Sequence, residues 1–163
     1  MSEIELKNVT KSFAQNTVLD GIDLTIEKGE AMAVLGRSGV GKSILLKLLI
    51  GLEQPDSASI RIEGREITGL ATKDLNEIRK QIGFLFQQAA LYDSMTIEQS
   101  VEFPLKRHTM LSDDERTARA KDLLINVGME SDLDKLPAQL SGGMKKRVGL
   151  ARAGARSKDC DVQ

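Results

Sequence analysis

Eight residues constrain this chain more than any others. Gly36-Arg37-Ser38-Gly39-Val40-Gly41-Lys42-Ser43 fit the pattern G-x-x-x-x-G-K-[S/T] at every fixed position. They follow the apolar run Ala31-Met32-Ala33-Val34-Leu35, whose composition suits a strand buried on both faces. They precede residues 44–50, which read as a buried helix. Each fixed position has a physical task. Glycines let the backbone curl so that successive N–H groups point inward at an anion. A helix starting near Lys42 adds its positive end. The Lys42 ammonium can reach β- and γ-phosphates, and the Ser43 hydroxyl can ligate Mg²⁺. A chance match is the rival, and the strand-before, helix-after context argues against it. The expected ligands are the phosphates of a nucleotide and Mg²⁺, held by Gly36, Arg37, Ser38, Gly39, Val40, Gly41, Lys42 and Ser43.

Strand patterns dominate the rest of the front half. Ile4, Leu6 and Val9 alternate with polar residues, and Ile22, Leu24 and Ile26 repeat at period two, as antiparallel strands with one wet face do. Residues 59–67 read as a hairpin turning at Glu63-Gly64-Arg65. Gly83-Phe84-Leu85-Phe86 is a second short apolar run of the buried-strand kind. Beyond it the period becomes helical, over residues 97–103, 113–127 and 141–152, with Ser112-Asp113-Asp114-Glu115 as a capping box.

A phosphate cradle alone leaves kinases, GTPases and transport ATPases open. Downstream, Leu140-Ser141-Gly142-Gly143-Met144 followed by Lys145-Lys146-Arg147-Val148-Gly149-Leu150-Ala151-Arg152-Ala153 closely resembles the signature motif of the ATP-binding-cassette (ABC) ATPases, with Met144 where Gln is usual. Ser141 is placed to cap the helix, leaving the N–H groups of Gly142 and Gly143 as a second anion site. The resemblance implies that this site meets the γ-phosphate held by the opposite subunit, so that two ATP molecules join a head-to-tail homodimer. Gln87 resembles the glutamine that ligates Mg²⁺ and senses the membrane partner; an ordinary polar loop residue is the alternative. Phe13, in Val9-Thr10-Lys11-Ser12-Phe13, corresponds to the aromatic that stacks on adenine, with a buried core phenylalanine as its alternative. Within the family, residues 86–105 and Met144 look like the Mla/Mce-type phospholipid transporters. An unrelated P-loop kinase shows no recognisable acceptor site here.

The implied fold is α/β: a P-loop NTPase (RecA-like) core with an N-terminal antiparallel β-subdomain and a helical subdomain, the C-terminal strands of the core missing. The resemblance covers residues 4–153, with the β-subdomain and P-loop core over about 1–87 and the helical subdomain over about 88–153. Residues 154–163 form an aberrant tail without strand pattern, and no Asp-Glu strand end, D-loop or switch histidine follows. His108, the only histidine, lies ahead of the signature and reads as a surface residue of a helix or loop. Codons permitted for Gly154-Ala155-Arg156-Ser157-Lys158-Asp159-Cys160-Asp161-Val162 read, one nucleotide later, as Ala-Leu-Asp-Pro-Lys-Ile-Val-Met-Phe, which suits a frameshift near Ala153. The expectation for this chain is ATP binding that is weak, with little or no turnover; a non-catalytic nucleotide-binding module is the rival.

Bulk properties narrow the partners. A net charge of −1 and 3% aromatic residues fit no nucleic-acid footprint. No apolar run approaches the roughly 20 residues of a membrane span, and the acidic start Met1-Ser2-Glu3-Ile4-Glu5 is no signal peptide. The single cysteine, Cys160, suits a reducing cytoplasm. The expected partners are transmembrane permease subunits and a second nucleotide-binding subunit, at the cytoplasmic face of the inner membrane, with no direct membrane insertion.

Overall fold

The structure, a computed structural model, describes residues 2–155, Ser2 through its backbone alone. The readings placed on residues 156–163 lie outside the described residues. The chain divides after Glu77 into two compact units.

The first unit is built on a four-stranded antiparallel sheet in the order β2-β1-β3-β4, with β1 Ser2–Phe13, β2 Asn16–Glu27, β3 Ser57–Ile62 and β4 Arg65–Glu66. Leu6 pairs with Leu24 on one side and Ile60 on the other, and Leu6 and Ile60 are fully buried. Strict alternation would turn Val9 to the face opposite Leu6. Asn8 prevents this: it takes a left-handed φ of 49°, the register shifts between Leu6 and Val9, and Val9 is also buried. On β2 the alternation expected from the sequence holds, with Ile22, Leu24 and Ile26 half-buried and Asp23, Thr25 and Glu27 exposed. The hairpin forms as expected, closed by Glu63 and Gly64, both left-handed as a tight two-residue turn requires. Helix α1, Lys42–Leu49, buries Leu45, Leu48 and Leu49.

Glu66 organises the far edge of this sheet. Its carboxylate accepts from the Ser59 hydroxyl at 2.5 Å, from Ile60 N at 3.0 Å and from Thr68 N at 3.2 Å. Burial pushes its pKa up, but the hydrogen bonds from Ser59, Thr68 and Ile60 outweigh burial and hold it near 2, against an ordinary 4.5.

The second unit is helical, with α3 Ile97–His108, α4 Asp113–Ile125, a 3-10 turn at Pro137–Gln139 and α5 Gly142–Gly154. Ile97, Val101 and Leu105 of α3 pack with Ala120, Leu123 and Leu124 of α4 and with Val148 and Ala151 of α5. Ser112 and Glu115 form the expected capping box, and Thr96 and Gln99 form another. Helix α3 runs five residues beyond the expected end at Phe103. Pro104 forfeits one backbone bond, but Leu105 is buried in the core one step later, and this holds the helix together.

Three features depart from the sequence reading. Helix α2, Thr72–Arg79, was not anticipated, although Leu75 and Ile78 carry its buried side at helical spacing. Residues 31–35 and 83–86 form no strand, and their side chains are largely exposed, Leu35 at 90%. A parallel strand draws its hydrogen bonds from neighbours on its edges. Among the described residues the only sheet is the antiparallel one, and it pairs with neither segment. No helix among the described residues is long and apolar enough to cross a membrane.

A carboxyl held below its unfolded pKa stabilises the fold above that pKa and loses the contribution as pH falls toward the folded value. The Glu66 contribution is therefore complete above the ordinary 4.5 and drains toward 2. We expect Glu66→Gln to flatten the loss of urea midpoint between about pH 5 and about pH 3 relative to wild type. An unchanged acid slope would mean that Glu66 adds nothing to it.

Candidate functional site

The phosphate loop is shaped by its backbone. Gly41 caps α1 in the left-handed region, φ 103° and ψ −2°, and makes no side-chain cap bond. A Cβ at Gly41 would stand 2.7 Å from Val18 Cγ1 and 3.1 Å from both Leu19 Cδ2 and the Val18 carbonyl oxygen. Only glycine allows the loop to rest this closely on β2. The first helical bonds run from Ile44 N and Leu45 N to Gly41 O, at 2.9 and 3.0 Å. The earlier N–H groups of such a helix start have no intrahelical partner and carry the positive end of its dipole.

Lys42 folds back over the loop. Its Nζ donates to Gly36 O at 2.7 Å and to Arg37 O at 2.6 Å. An ammonium has three donors, so two fasten the loop and one is left for an anion. Arg37, Ser38, Val40 and Ser43 are exposed beside it, and Gly39 takes φ 82°. Phe13 ends β1 with its ring 43% exposed and the Lys11 ammonium 5.1 Å from the ring centroid. It is not a core residue: its ring is partly exposed, with the Lys11 ammonium over it.

The second unit holds the remaining candidates. Ser141 accepts from Met144 N at 3.3 Å, as the cap anticipated in the sequence. A Cβ on Gly142 or Gly143 would meet nothing within 4 Å, so this helix start is open. Gln87 is exposed in the turn closed by Ala89 N donating to Phe86 O at 2.9 Å. His108 is exposed at the end of α3, as expected.

Sequence reasoning missed three residues of α5. Arg147 Nη1 donates to the carbonyls of Val127 and Gly128 at 3.2 and 3.3 Å, fastening α5 to the end of α4. Gly149 leaves room for the Gln87 loop: a Cβ there would lie 2.7 Å from Leu85 Cδ1 and 3.0 Å from the Ala89 methyl. Arg152 donates to Ala89 O and Ala90 O, each at 2.6 Å. Their partners lie far off in sequence, and no local pattern reveals them. Among the described residues no group of three His, Cys, Asp or Glu side chains is arranged to hold a metal ion.

A family model for ABC transporters matches residues 19–160. The chain belongs to the ABC transporter family. Similar curated relatives include a methionine import ATP-binding protein of Rhizobium johnstonii, 46% identical over 92% of this chain and 41% of that protein. Another is a probable ribonucleotide transport ATP-binding protein of Mycobacterium bovis, 44% identical over 92% of this chain and 42% of that protein. This ABC chain thus spans about two fifths of the length of those relatives. Among solved structures, the ATP-binding cassette MJ0796, a dimer in a post-hydrolysis state bound to ADP and Pi, aligns with TM-score 0.89 at 35% identity. That match covers 94% of this chain and 69% of the other. A structure of cbiO1 from Clostridium perfringens aligns at TM-score 0.80 and 30% identity, over 95% and 62%. The fold is that of an ABC cassette, a P-loop NTPase combining an antiparallel sheet with helices. The finer likeness to Mla/Mce phospholipid transporters finds no counterpart in these relatives, which are named for methionine and ribonucleotides.

The two loop glycines separate strain from collision. Gly41→Ala adds a buried clash to a left-handed φ and is expected to lower the urea unfolding free energy by about 2–4 kcal/mol. Gly39→Ala, whose Cβ would meet nothing within 4 Å, should cost about 1–2 kcal/mol. Equal losses would show that the contact with Val18 and Leu19 does not matter.

Proposed function

We propose that this chain is an ATP-binding part of an ABC transporter subunit, cradling the triphosphate between residues 36–43 and the N-terminus of α1. The observation that carries the reading is Lys42, pinned across the loop by two carbonyls with one donor left over. Phe13 supplies a stacking face for adenine, on the order of 1–3 kcal/mol for a base on an aromatic ring. Ser43 would hold Mg²⁺ through its hydroxyl, and Gln87 is by itself an amide-oxygen candidate for a divalent ion. Hydroxyl and amide oxygens suit this ion, which keeps most of its six positions for phosphate oxygens and water. When bound, the ion neutralises phosphate charge.

In this reading Ser141, Gly142 and Gly143 meet the γ-phosphate of a nucleotide held by a second copy of the subunit, and the pair works on transmembrane permease subunits at the cytoplasmic face of the inner membrane. Support comes from the open helix start at Gly142 and from the dimeric cassette similar to this chain. Hydrolysis is the family's chemistry and needs a residue to orient or polarise the attacking water; Lys42 and Ser43 are read here as serving the phosphates and the ion. For cargo, the methionine-import relatives support a methionine-type solute over phospholipid. Co-purification with a methionine-type permease and not with a phospholipid-type permease is the expected outcome, and the reverse would restore the lipid reading.

Titration with a fluorescent ATP analogue and Mg²⁺ tests the site itself. Lys42→Ala should weaken binding by roughly tenfold or more, the loss of one charge-assisted contact to phosphate. Equal binding by the two proteins would sink the cradle, and robust phosphate release would show a complete catalytic site.

A further inference from the structure

The far end of β1 brings a cation, an anion and an aromatic ring together. Lys11 and Phe13 stand two residues apart on the strand, the spacing that puts side chains on one side of it. The Lys11 ammonium lies over the Phe13 ring, 5.1 Å from its centroid, and the lysine side chain is only 14% exposed. Asp56 holds it there. Asp56 N donates to Thr10 O at 2.9 Å and the Asp56 carboxylate accepts from Ser12 N at 2.6 Å, so the residue is fastened to β1 on both sides of Lys11. Its other carboxylate oxygen stands 3.5 Å from Lys11 Nζ. One face of Phe13 is thus backed by a fixed charge, while the residue stays 43% exposed. The phosphate loop reaches the same end of the hairpin. Lys11 pairs with Leu19 and Ser12 with Thr17, and Val18 and Leu19 are the residues on which Gly41 rests. All of these residues belong to the first unit. Two stacked ring faces are both negative and repel each other. A cation on the far face of one ring draws density away and eases that repulsion.

We propose that Lys11, anchored by Asp56, is a positioning residue for the nucleotide base: it backs the Phe13 ring, so that the base stacks on the opposite face. The proposal rests on the reading of Phe13 as the adenine platform. It deepens that reading by assigning the pair that orients the ring and the face that the base takes. Lys11 touches neither base nor phosphate in this scheme; its charge faces the ring and Asp56, and it acts through Phe13 alone.

The test uses the full chain and one ratio, the base increment. This is the affinity for ATP divided by that for inorganic tripolyphosphate, both with Mg²⁺, read by displacement of a fluorescent ATP analogue. Phe13→Ala should lower the increment roughly tenfold or more, as loss of one stacked base would. Lys11→Gln, which removes the charge behind the ring, should lower it about threefold and leave the affinity for tripolyphosphate unchanged. Asp56→Asn keeps an acceptor for Ser12 N but removes the charge that holds Lys11, and should lower the increment as Lys11→Gln does. Lys11→Arg should keep the wild-type increment, because a guanidinium both stacks on a ring face and pairs with a carboxylate. In a Phe13→Ala background, Lys11→Gln should have no further effect, since the ring through which it acts is gone. An intact increment in Lys11→Gln, where Phe13→Ala lowers it, overturns the positioning role. So does a loss of tripolyphosphate affinity as large as the loss of ATP affinity, which would assign Lys11 to the phosphates or to the fold. A further loss in the Phe13→Ala background would set Lys11 against the base itself and also overturn the proposal. If Phe13→Ala leaves the increment intact, the adenine reading of Phe13 fails and the positioning role falls with it.

Discussion

The close approach of Gly41 to Val18 and Leu19 is the contact on which the phosphate loop depends. It allows α1 to begin directly against β2, at a glycine whose left-handed cap and missing Cβ both suit that approach. Once the helix starts there, Lys42 stands in its first turn and can fold back onto Gly36 and Arg37. The helix is short, eight residues, and in water such a helix is marginal by itself. Its stability therefore comes from Leu45, Leu48 and Leu49 packing in the first unit, and the loop inherits its geometry from that packing.

What the sequence made legible was whatever local chemistry decides. The hairpin at Glu63 and Gly64, the cap at Ser112 and the cap at Ser141 each rest on residues within three or four positions of one another, and all form as read. The strand readings at 31–35 and 83–86 failed for the complementary reason. An apolar run specifies a wish for burial, but a strand exists only through its neighbours, and among the described residues neither run has any. Helix α2 was missed because only Leu75 and Ile78 mark its buried side within a polar stretch. Arg152 and Gly149 were visible as letters of the signature motif but not as parts of the glutamine loop. Their partners are about sixty residues away in sequence, and contacts of that range come from tertiary packing.

Family and cargo separate for a similar reason. In the proposed reading, every motif that places this chain among ABC proteins serves a nucleotide: the curled loop, the stacking ring and the open helix start. Such features have the same physics whatever is carried across the membrane. Residues 86–105, with Met144, carried the pattern that suggested a cargo, and around Gln87 the geometry is shaped by contacts with Arg152 and Gly149. Relatives at 46% and 44% identity carry names with different cargoes, consistent with cargo being set elsewhere in the assembled transporter.

The two helix starts show how one physical device serves two purposes. At α1 the cap is Gly41, which offers no side-chain acceptor, so the first N–H groups are left for an external anion and Lys42 adds a full charge beside them. At α5 the cap is Ser141, whose hydroxyl already satisfies Met144 N, leaving the groups of Gly142 and Gly143 in open space without a side chain over them. A serine cap stabilises a helix by about 1 kcal/mol and makes its start well defined before any ligand arrives. A glycine cap gives up that stabilisation and leaves more donors to the ligand. The serine-capped start suits a rigid surface that meets a phosphate already held by another loop, and the glycine-capped start suits the loop that must do the holding.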